Sequence, residues 1–254
     1  MFTNSTDREW EKFGREDPYF GVLTDERYRM ANLNDANRLA FFSSGELYIA
    51  NLWNRVKAHV DADFAPRRAL DFGCGVGRLI IPLAERVAEV TGLDVSDSML
   101  AEARHNCETR NLDNVVLVPS DDELSGLSGH YDFVHSLIVF QHIPVARGVR
   151  IFARLLACLA PGGVGVVQFT YAKAHPQKAW VRLAKSRIPF AARVANLLRG
   201  RSLSCPEMQM NSYDLNTLLR LLQTSGVERF HGEFTDHGGE LGVILYFRKQ
   251  QSTR

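Results

Sequence analysis

The chain predicts an α/β fold built on a doubly wound sheet, and three observations carry that prediction. Ala69–Leu70–Asp71–Phe72–Gly73–Cys74–Gly75–Val76–Gly77–Arg78 reads as a short buried strand and a glycine-rich turn, and the apolar face Leu79, Ile80, Ile81, Leu83, Ala84 continues as a helix. Short apolar runs near 90–94, 115–118, 131–136 and 164–171 then alternate with helical stretches. Finally, 227–234 and 241–248 read as two strands joined only by a turn.

A strand, a glycine turn and a helix start make a nucleotide-type site at the carboxyl edge of a sheet. Charge decides which nucleotide. The dinucleotide fingerprint spaces its glycines Gly-x-Gly-x-x-Gly and lays pyrophosphate on the helix start. Here Gly73, Gly75 and Gly77 alternate, and the carboxylate of Asp71 closes the strand before them. Asp71 would repel a pyrophosphate and favours a ligand with positive charge at that end. S-adenosylmethionine, with an ammonium, a sulfonium and no phosphate, fits. The second strand ends at Asp94, about 20 residues on, where an acid takes ribose hydroxyls. That spacing alone does not separate the two cofactors.

Residues 70–78, followed by Gly92–Leu93–Asp94–Val95–Ser96–Asp97–Ser98–Met99–Leu100, resemble the class I S-adenosylmethionine-dependent methyltransferases of small-molecule type. The similarity continues through Tyr131–Asp132–Phe133–Val134 and Leu159–Ala160–Pro161–Gly162–Gly163 and covers about two-thirds of the chain. It implies a Rossmann-like, seven-stranded doubly wound sheet with an antiparallel last strand, S-adenosyl-L-methionine as cofactor and S-adenosyl-L-homocysteine as product. It further implies that Asp71, Gly73, Cys74, Gly75, Asp94 and Ser136 belong to the cofactor site and that Val95 and Met99 flank the adenine. Met99 reads equally as ordinary core. After the third strand, where Pro119–Ser120–Asp121–Asp122 follows, an acid accepts the adenine amino group in this family, with Asp121 preferred over Asp122 and Ser120 beside it.

Composition bounds the rest. The 254 residues suit one α/β domain with additions, and a formal charge of +1 implies no global attraction to nucleic acid or membrane. Cys74, Cys107, Cys158 and Cys205 show no paired spacing, which argues against a metal site or disulfide framework and fits a reducing, cytoplasmic setting. The mixed-charge start is no signal peptide, and no apolar run approaches the roughly 20 residues of a membrane span.

Residues 1–62 read as a helical cap preceding the methyltransferase domain, 63–254. Asp7 to Arg15 forms a helix with Trp10 and Phe13 on one face; Asp17 to Leu23 is a turn with aromatics; Asn34 to Val60 is one or two helices broken near Ser43–Ser44–Gly45. Its apolar face includes Leu39, Phe42, Leu47, Ile49, Leu52, Trp53 and Val56. In the enzymes it resembles, such helices cap the cofactor and help form the substrate cavity, so Tyr19 is a substrate-binding candidate as well as a packing aromatic. A helix over 78–88 carries Pro82, which costs a hydrogen bond unless it lies in the first turn. Ser96 or Asp97 caps the next helix, 98–111, and Ser212 or Asp214 caps a helix over 215–224 closed by Gly226.

From Tyr171 to Pro206 there is no Asp or Glu, while Lys173, Lys178, Arg182, Lys185, Arg187, Arg193, Arg199 and Arg201 interleave with apolar residues. This basic amphipathic insertion, 172–211, reads as a helical lid after strand five for an anionic client, with His175, Lys178 and Arg182 as substrate contacts. A solvated helix face is the plain alternative, and weak contact with a membrane surface through 172–205 a further one.

Methyl transfer from a sulfonium needs positioning and, for a hydroxyl acceptor, a base. Three histidines fall on the expected rim, His142, His175 and His237. His142 and His237 are the base candidates kept, with Tyr171 as a positioning hydroxyl; the same histidines can serve only packing. Ser136–Leu137–Ile138–Val139 lacks the motif of enzymes that methylate base amines, and no cysteine stands where those that methylate pyrimidine carbon carry one. A hydroxyl on a small, anionic molecule or glycan is the leading acceptor. N- or C-methylation, and a cofactor-binding protein without catalysis, stay open; no nucleic-acid partner is expected.

Overall fold

A computed structural model describes residues 5–174 and 208–251. Its seven strands form one sheet in the order β3-β2-β1-β4-β5-β7-β6, with β1 Arg68–Phe72, β2 Glu89–Asp94, β3 Val115–Pro119, β4 Tyr131–Ser136, β5 Leu159–Lys173, β6 Phe230–Asp236 and β7 Glu240–Arg248. β1 pairs in parallel with β2 and β4, β2 with β3, and β4 with β5; β7 runs antiparallel between β5 and β6. The expected doubly wound sheet is present. β1 and β4 are buried almost throughout, as is β5 from Gly163 to Thr170, so burial along them does not alternate.

The chain leaves β1 toward β2 and β3, then returns to β4 on the other flank of β1. The crevice between the ends of β1 and β4 is therefore the topological switch point, where ligands bind in such sheets.

The helices are α1 Ser5–Glu16, α2 Pro18–Val22, α3 Asp35–His59, α4 Ile80–Ala84, α5 Asp97–Glu108, α6 Val145–Cys158 and α7 Leu215–Thr224. Ser96 caps α5 by accepting the Met99 amide, and Asp214 caps α7 by accepting those of Asn216 and Thr217. Gly226, at φ +84°, ends α7 as expected. The α1–α3 segment shares one hydrophobic core with the sheet: Phe13, Tyr19, Phe41, Ile49 and Leu52 pack in the same cluster as Ala69, Val90 and Phe133.

Several local expectations are corrected. Within 17–23, Pro18–Val22 form a helix, α2, with Pro18 opening it. α3 runs unbroken through Ser43–Ser44–Gly45. Gly45 is a packing contact: a Cβ there would lie 2.3 Å from the Arg78 carbonyl oxygen, so only glycine lets α3 approach so closely. The buried stripe of α3 runs Phe42, Gly45, Ile49, Leu52, Val56, at helical spacing. Leu39 and Leu47 fall off it and are exposed. The helix after the glycine turn shrinks to 80–84, with Pro82 in its first turn, where it forfeits nothing. α6 ends at Cys158 and β5 begins at once, at Leu159. The sixth strand starts at Phe230, later than expected. Among the described residues no helix is long and apolar enough to cross a membrane.

Candidate functional site

One cavity opens at the switch point. Its floor is the glycine turn, Asp71 to Gly75 with Arg78; one wall is Asp94, Val95, Met99 and Ser120; the other is Leu137, Ile138, Val139 and His142; α1 and α2 close it with Thr6, Asp7, Trp10 and Val22.

The turn is tied down by its own backbone. The Gly73 and Cys74 amides both donate to the Leu93 carbonyl, at 2.8 and 2.9 Å, and the Gly77 amide donates to the Cys74 carbonyl at 3.1 Å. The Gly75 amide donates to Asp94 Oδ2 at 2.9 Å. These donors are spent, so they form no phosphate cradle. The short α4 adds little dipole of its own. Gly73 and Gly75 sit at φ +79° and +53°, and a Cβ on Gly73 would lie 2.3 Å from Val139 Cγ2. The β1 turn and the loop after β4 thus meet across the crevice.

Asp71 and Asp94 flank the glycine turn at this cavity. Asp94 Oδ1 accepts the Ser96 amide at 2.9 Å while Oδ2 holds Gly75. Burial pushes its carboxyl up to about 6, against the lowering effect of those amides. Asp71 is 2 % exposed and accepts from His135 Nδ1 at 2.7 Å. Tyr48 lies 3.1 Å from His135 Nε2. Burial holds the Tyr48 hydroxyl in its protonated form. A buried relay follows: Tyr48 donates to His135, and His135 donates to Asp71. The sequence reading missed His135, because a histidine within a strand that reads as core carries no local signal.

The structure brings Asp71, Gly73, Cys74, Gly75, Asp94, Val95, Met99, Ser120 and His142 to the cavity. Burial pushes the Cys74 thiol well above its ordinary value, so it packs and does not react. Other candidates are placed elsewhere. Ser136 is buried with its Oγ bonded to the Phe72 carbonyl, tying β4 to β1. Asp121 turns its carboxylate into its own loop, to the Glu123 and Ser125 amides. Tyr19 is fully buried against Phe41 and Phe42, its hydroxyl shared among Glu102, Asn106 and Arg38. Tyr171 packs against Phe234. His237 lies in the β6–β7 hairpin, at the carboxyl edge but beyond β5 from the switch point. His175, Lys178 and Arg182 lie outside the described residues, with nearly all of the basic insertion.

His142 is buried beneath Trp10, ring centroids 5.0 Å apart. Its Nδ1 is 2.8 Å from the Gln209 carbonyl, which can only accept, so Nδ1 carries the proton. Nε2 then presents a lone pair, met at 3.2 Å by the Gln141 amide nitrogen. Thr170 fixes that amide by donating to Gln141 Oε1 at 2.9 Å. Burial lowers the His142 pKa, which keeps the ring neutral at pH 7.

α1 is held over the cavity by a buried ionic contact. Arg147 donates to Asp7 Oδ1 at 2.6 Å and to Asp122 Oδ1 at 2.5 Å, with side-chain exposures of 12 % for Arg147 and 6 % for Asp7. Glu11 accepts from the hydroxyls of Ser96 and Ser98 at 2.8 and 2.7 Å. Arg147→Met would leave Asp7 without its cation, while Asp122 keeps Arg150 at 3.6 Å. Stopped-flow release of a bound nucleoside is expected to speed up by about tenfold or more, in line with the loss of a charge-assisted hydrogen bond. Unchanged release would mean that α1 does not control exit.

Fold and site together define a doubly wound α/β protein with a cavity at its switch point. Residues 69–163 match the family described as a methyltransferase domain. The chain is 32% identical over 175 residues to a trans-aconitate 2-methyltransferase of Methylobacterium nodulans, covering 68% of this chain and 63% of that protein. It is 32% identical over 101 residues to a ubiquinone biosynthesis O-methyltransferase of Acinetobacter baumannii, covering 39% and 42%. The magnesium protoporphyrin IX methyltransferase of Synechocystis PCC 6803, solved with S-adenosylmethionine bound, superposes with a TM-score of 0.58 at 19% identity, covering 98% of this chain and 100% of that one. The chain spans about half the length of the curated relatives it matches. Residues 69–163 thus match a methyltransferase domain, and the fold of the whole chain is that of such a methyltransferase.

Proposed function

We propose that the protein transfers a methyl group from S-adenosyl-L-methionine to a small-molecule acceptor, releasing S-adenosyl-L-homocysteine. The single observation that carries this is the glycine turn whose amides are already spent, set between two carboxylates. Such a floor rejects pyrophosphate and accepts a cationic nucleoside. In this reading Asp94 takes the ribose hydroxyls, Val95 and Met99 flank the adenine, and Asp71 faces the methionine ammonium.

The acceptor we favour is an oxygen on an anionic small molecule or glycan. The support is the pair of relatives named for trans-aconitate, an anion, and for O-methylation, together with the basic stretch 172–211. A hydroxyl must lose its proton as the bond to the methyl carbon forms. The Nε2 lone pair of neutral His142 is the base at this cavity, taking the proton as Gln141 swings away. Transfer itself is an in-line displacement for which enclosure under α1 supplies positioning and excludes water.

The test is production of S-adenosylhomocysteine by the full-length protein from a panel of hydroxylated and carboxylated anions. Turnover above the acceptor-free background supports the reading; none with any acceptor, alongside tight cofactor binding, favours the non-catalytic alternative. His142→Phe is expected to lower kcat by about 100-fold. At saturating cofactor the wild-type profile should fall on the acid side below the ordinary histidine value of 6.5, because burial lowers this pKa, and that limb should vanish in the variant. A drop in kcat that leaves the limb in place would make His142 a packing residue.

A further inference from the structure

β6 is one edge of the sheet, and its ladder partner among the described residues is β7 alone. Sheets commonly guard such edges with Lys, Pro or a bulge. The opposite edge strand, β3, ends in Pro119. β6 carries no Lys and no Pro, and its seven residues pair with β7 without a break in register. Side chains alternate between the faces of a strand. Phe230, Gly232 and Phe234 share the face of Val243, Leu245 and Phe247, which belong to the core beneath α6 and α7. Yet Phe230 is 49 % and Phe234 81 % exposed. His231 and Glu233 point to the other face, that of α3. There His231 stacks on His59, ring centroids 4.0 Å apart, and Glu233 accepts from Arg55 at 2.6 Å. An apolar face that runs on past the last strand, beside an open row of backbone donors and acceptors, fits another strand.

Register identifies that strand. A second β6 can join antiparallel about a two-fold axis perpendicular to the sheet. Such an axis keeps every side chain on its own face, so odd residues meet odd and even meet even. Centred on Gly232, the axis sets Phe230 opposite Phe234 of the partner subunit and His231 opposite Glu233 of the partner subunit, each pair occurring twice. Within one copy His231 Nε2 already lies 3.4 Å from Glu233 Oε1. Across the axis, each imidazole therefore adjoins two carboxylates. Centred on Glu233 instead, the axis would set that carboxylate against its own copy and Phe230 against an aspartate. Aromatic and opposite-charge pairs stabilise a ladder, and like charges directly opposed destabilise it. We propose that two copies of this chain join edge to edge through β6, with Gly232 on the axis, into one continuous sheet. The axis turns one copy end over end, so the two switch-point cavities open at opposite edges and neither is covered.

Sedimentation equilibrium on the full-length protein tests this. Wild type is expected to dimerise with a dissociation constant of about micromolar order, that of a small exchanging interface. Phe234→Lys places a charge in both aromatic pairs and should raise that constant by about 100-fold or more. At a dilution where both proteins are monomers, their melting temperatures should agree within about 2 °C, because the substituted side chain is exposed. Gly232→Cys reads the register. A Cβ there lies 3.6 Å from Phe230 and Val243, an ordinary contact. Opposed residues place their Cβ atoms about 4.5–5.5 Å apart, so a short bis-maleimide should link this variant into covalent pairs and leave wild type unlinked. A wild type that stays monomeric to about 100 µM overturns the proposal, and the edge then serves another segment of this chain or a different protein. A dimer that survives Phe234→Lys, or one the reagent fails to link at residue 232, overturns it as well. Should Phe234→Lys not fold, the link at residue 232 decides alone.

Discussion

Asp94→Ala is expected to weaken S-adenosylhomocysteine binding by about 100-fold or more. Two hydrogen bonds from ribose hydroxyls to a carboxylate contribute about 1.5–3 kcal/mol each, so their joint loss falls between about 10²- and 10⁴-fold. The substitution also releases the Gly75 and Ser96 amides that Asp94 holds, so the turn itself loosens. The same residue sets a pH dependence. Its carboxyl is pushed up to about 6, and it is the charged form that accepts the ribose hydroxyls best. The dissociation constant should be flat above pH 7 and rise by up to about tenfold per unit as the pH falls below 6. The apo protein should show the opposite sign for this group. A carboxyl raised in the folded state destabilises the fold where it is charged, and that cost is relieved as the pH drops through about 6. Affinity that is level from pH 7.5 to pH 5 would remove Asp94 from the ribose contact.

Asp71→Leu is expected to damage both fold and site. It leaves His135 Nδ1, fully buried on β4, with no acceptor. Breaking a buried pair of this kind costs about 3–5 kcal/mol. For a domain this large, each kcal/mol is about 2–4 °C of melting temperature. A fall of about 6 °C or more is therefore expected by calorimetric scanning. Asp71→Asn separates the two roles. Its amide oxygen still accepts from His135, so the melting temperature should stay within about 3 °C of wild type, since a kept hydrogen bond limits the loss to about 1 kcal/mol. Its charge is gone, so the affinity for a nucleoside bearing an ammonium should fall by about tenfold or more. If Asp71→Asn binds that nucleoside as wild type does, the carboxylate is structural and the charge argument at this strand end is wrong.

The glycine turn and the carboxylates ending β1 and β2 were legible in the sequence, because each depends on residues within a short window, and the resemblance implied the doubly wound sheet. What escaped was set by contacts distant along the chain. Gly45 reads as a helix breaker by composition, yet its smallness is used to seat α3 on Arg78, far along the chain. Trp10 and Phe13 marked a helix face, but nothing local said that α1 would lie over the switch point, pinned by Arg147 through Asp7. Arg78 looked like the end of a motif, and only the structure reveals that it is buried, with no ion pair to a carboxylate among the described residues. Asp121 fitted the family's position after the third strand, but the Ser125 and Glu123 amides draw its carboxylate into the loop. Ser120, its neighbour, reaches the cavity instead.

The charge selection at the β1 turn is tested most directly by one competitive calorimetric titration, S-adenosylhomocysteine against NAD+, on the full-length wild-type protein at pH 7.5. The spent amides of Gly73, Cys74 and Gly75 and the carboxylate of Asp71 predict saturable binding of the first and none of the second. Tight binding of NAD+ with no uptake of S-adenosylhomocysteine would contradict it.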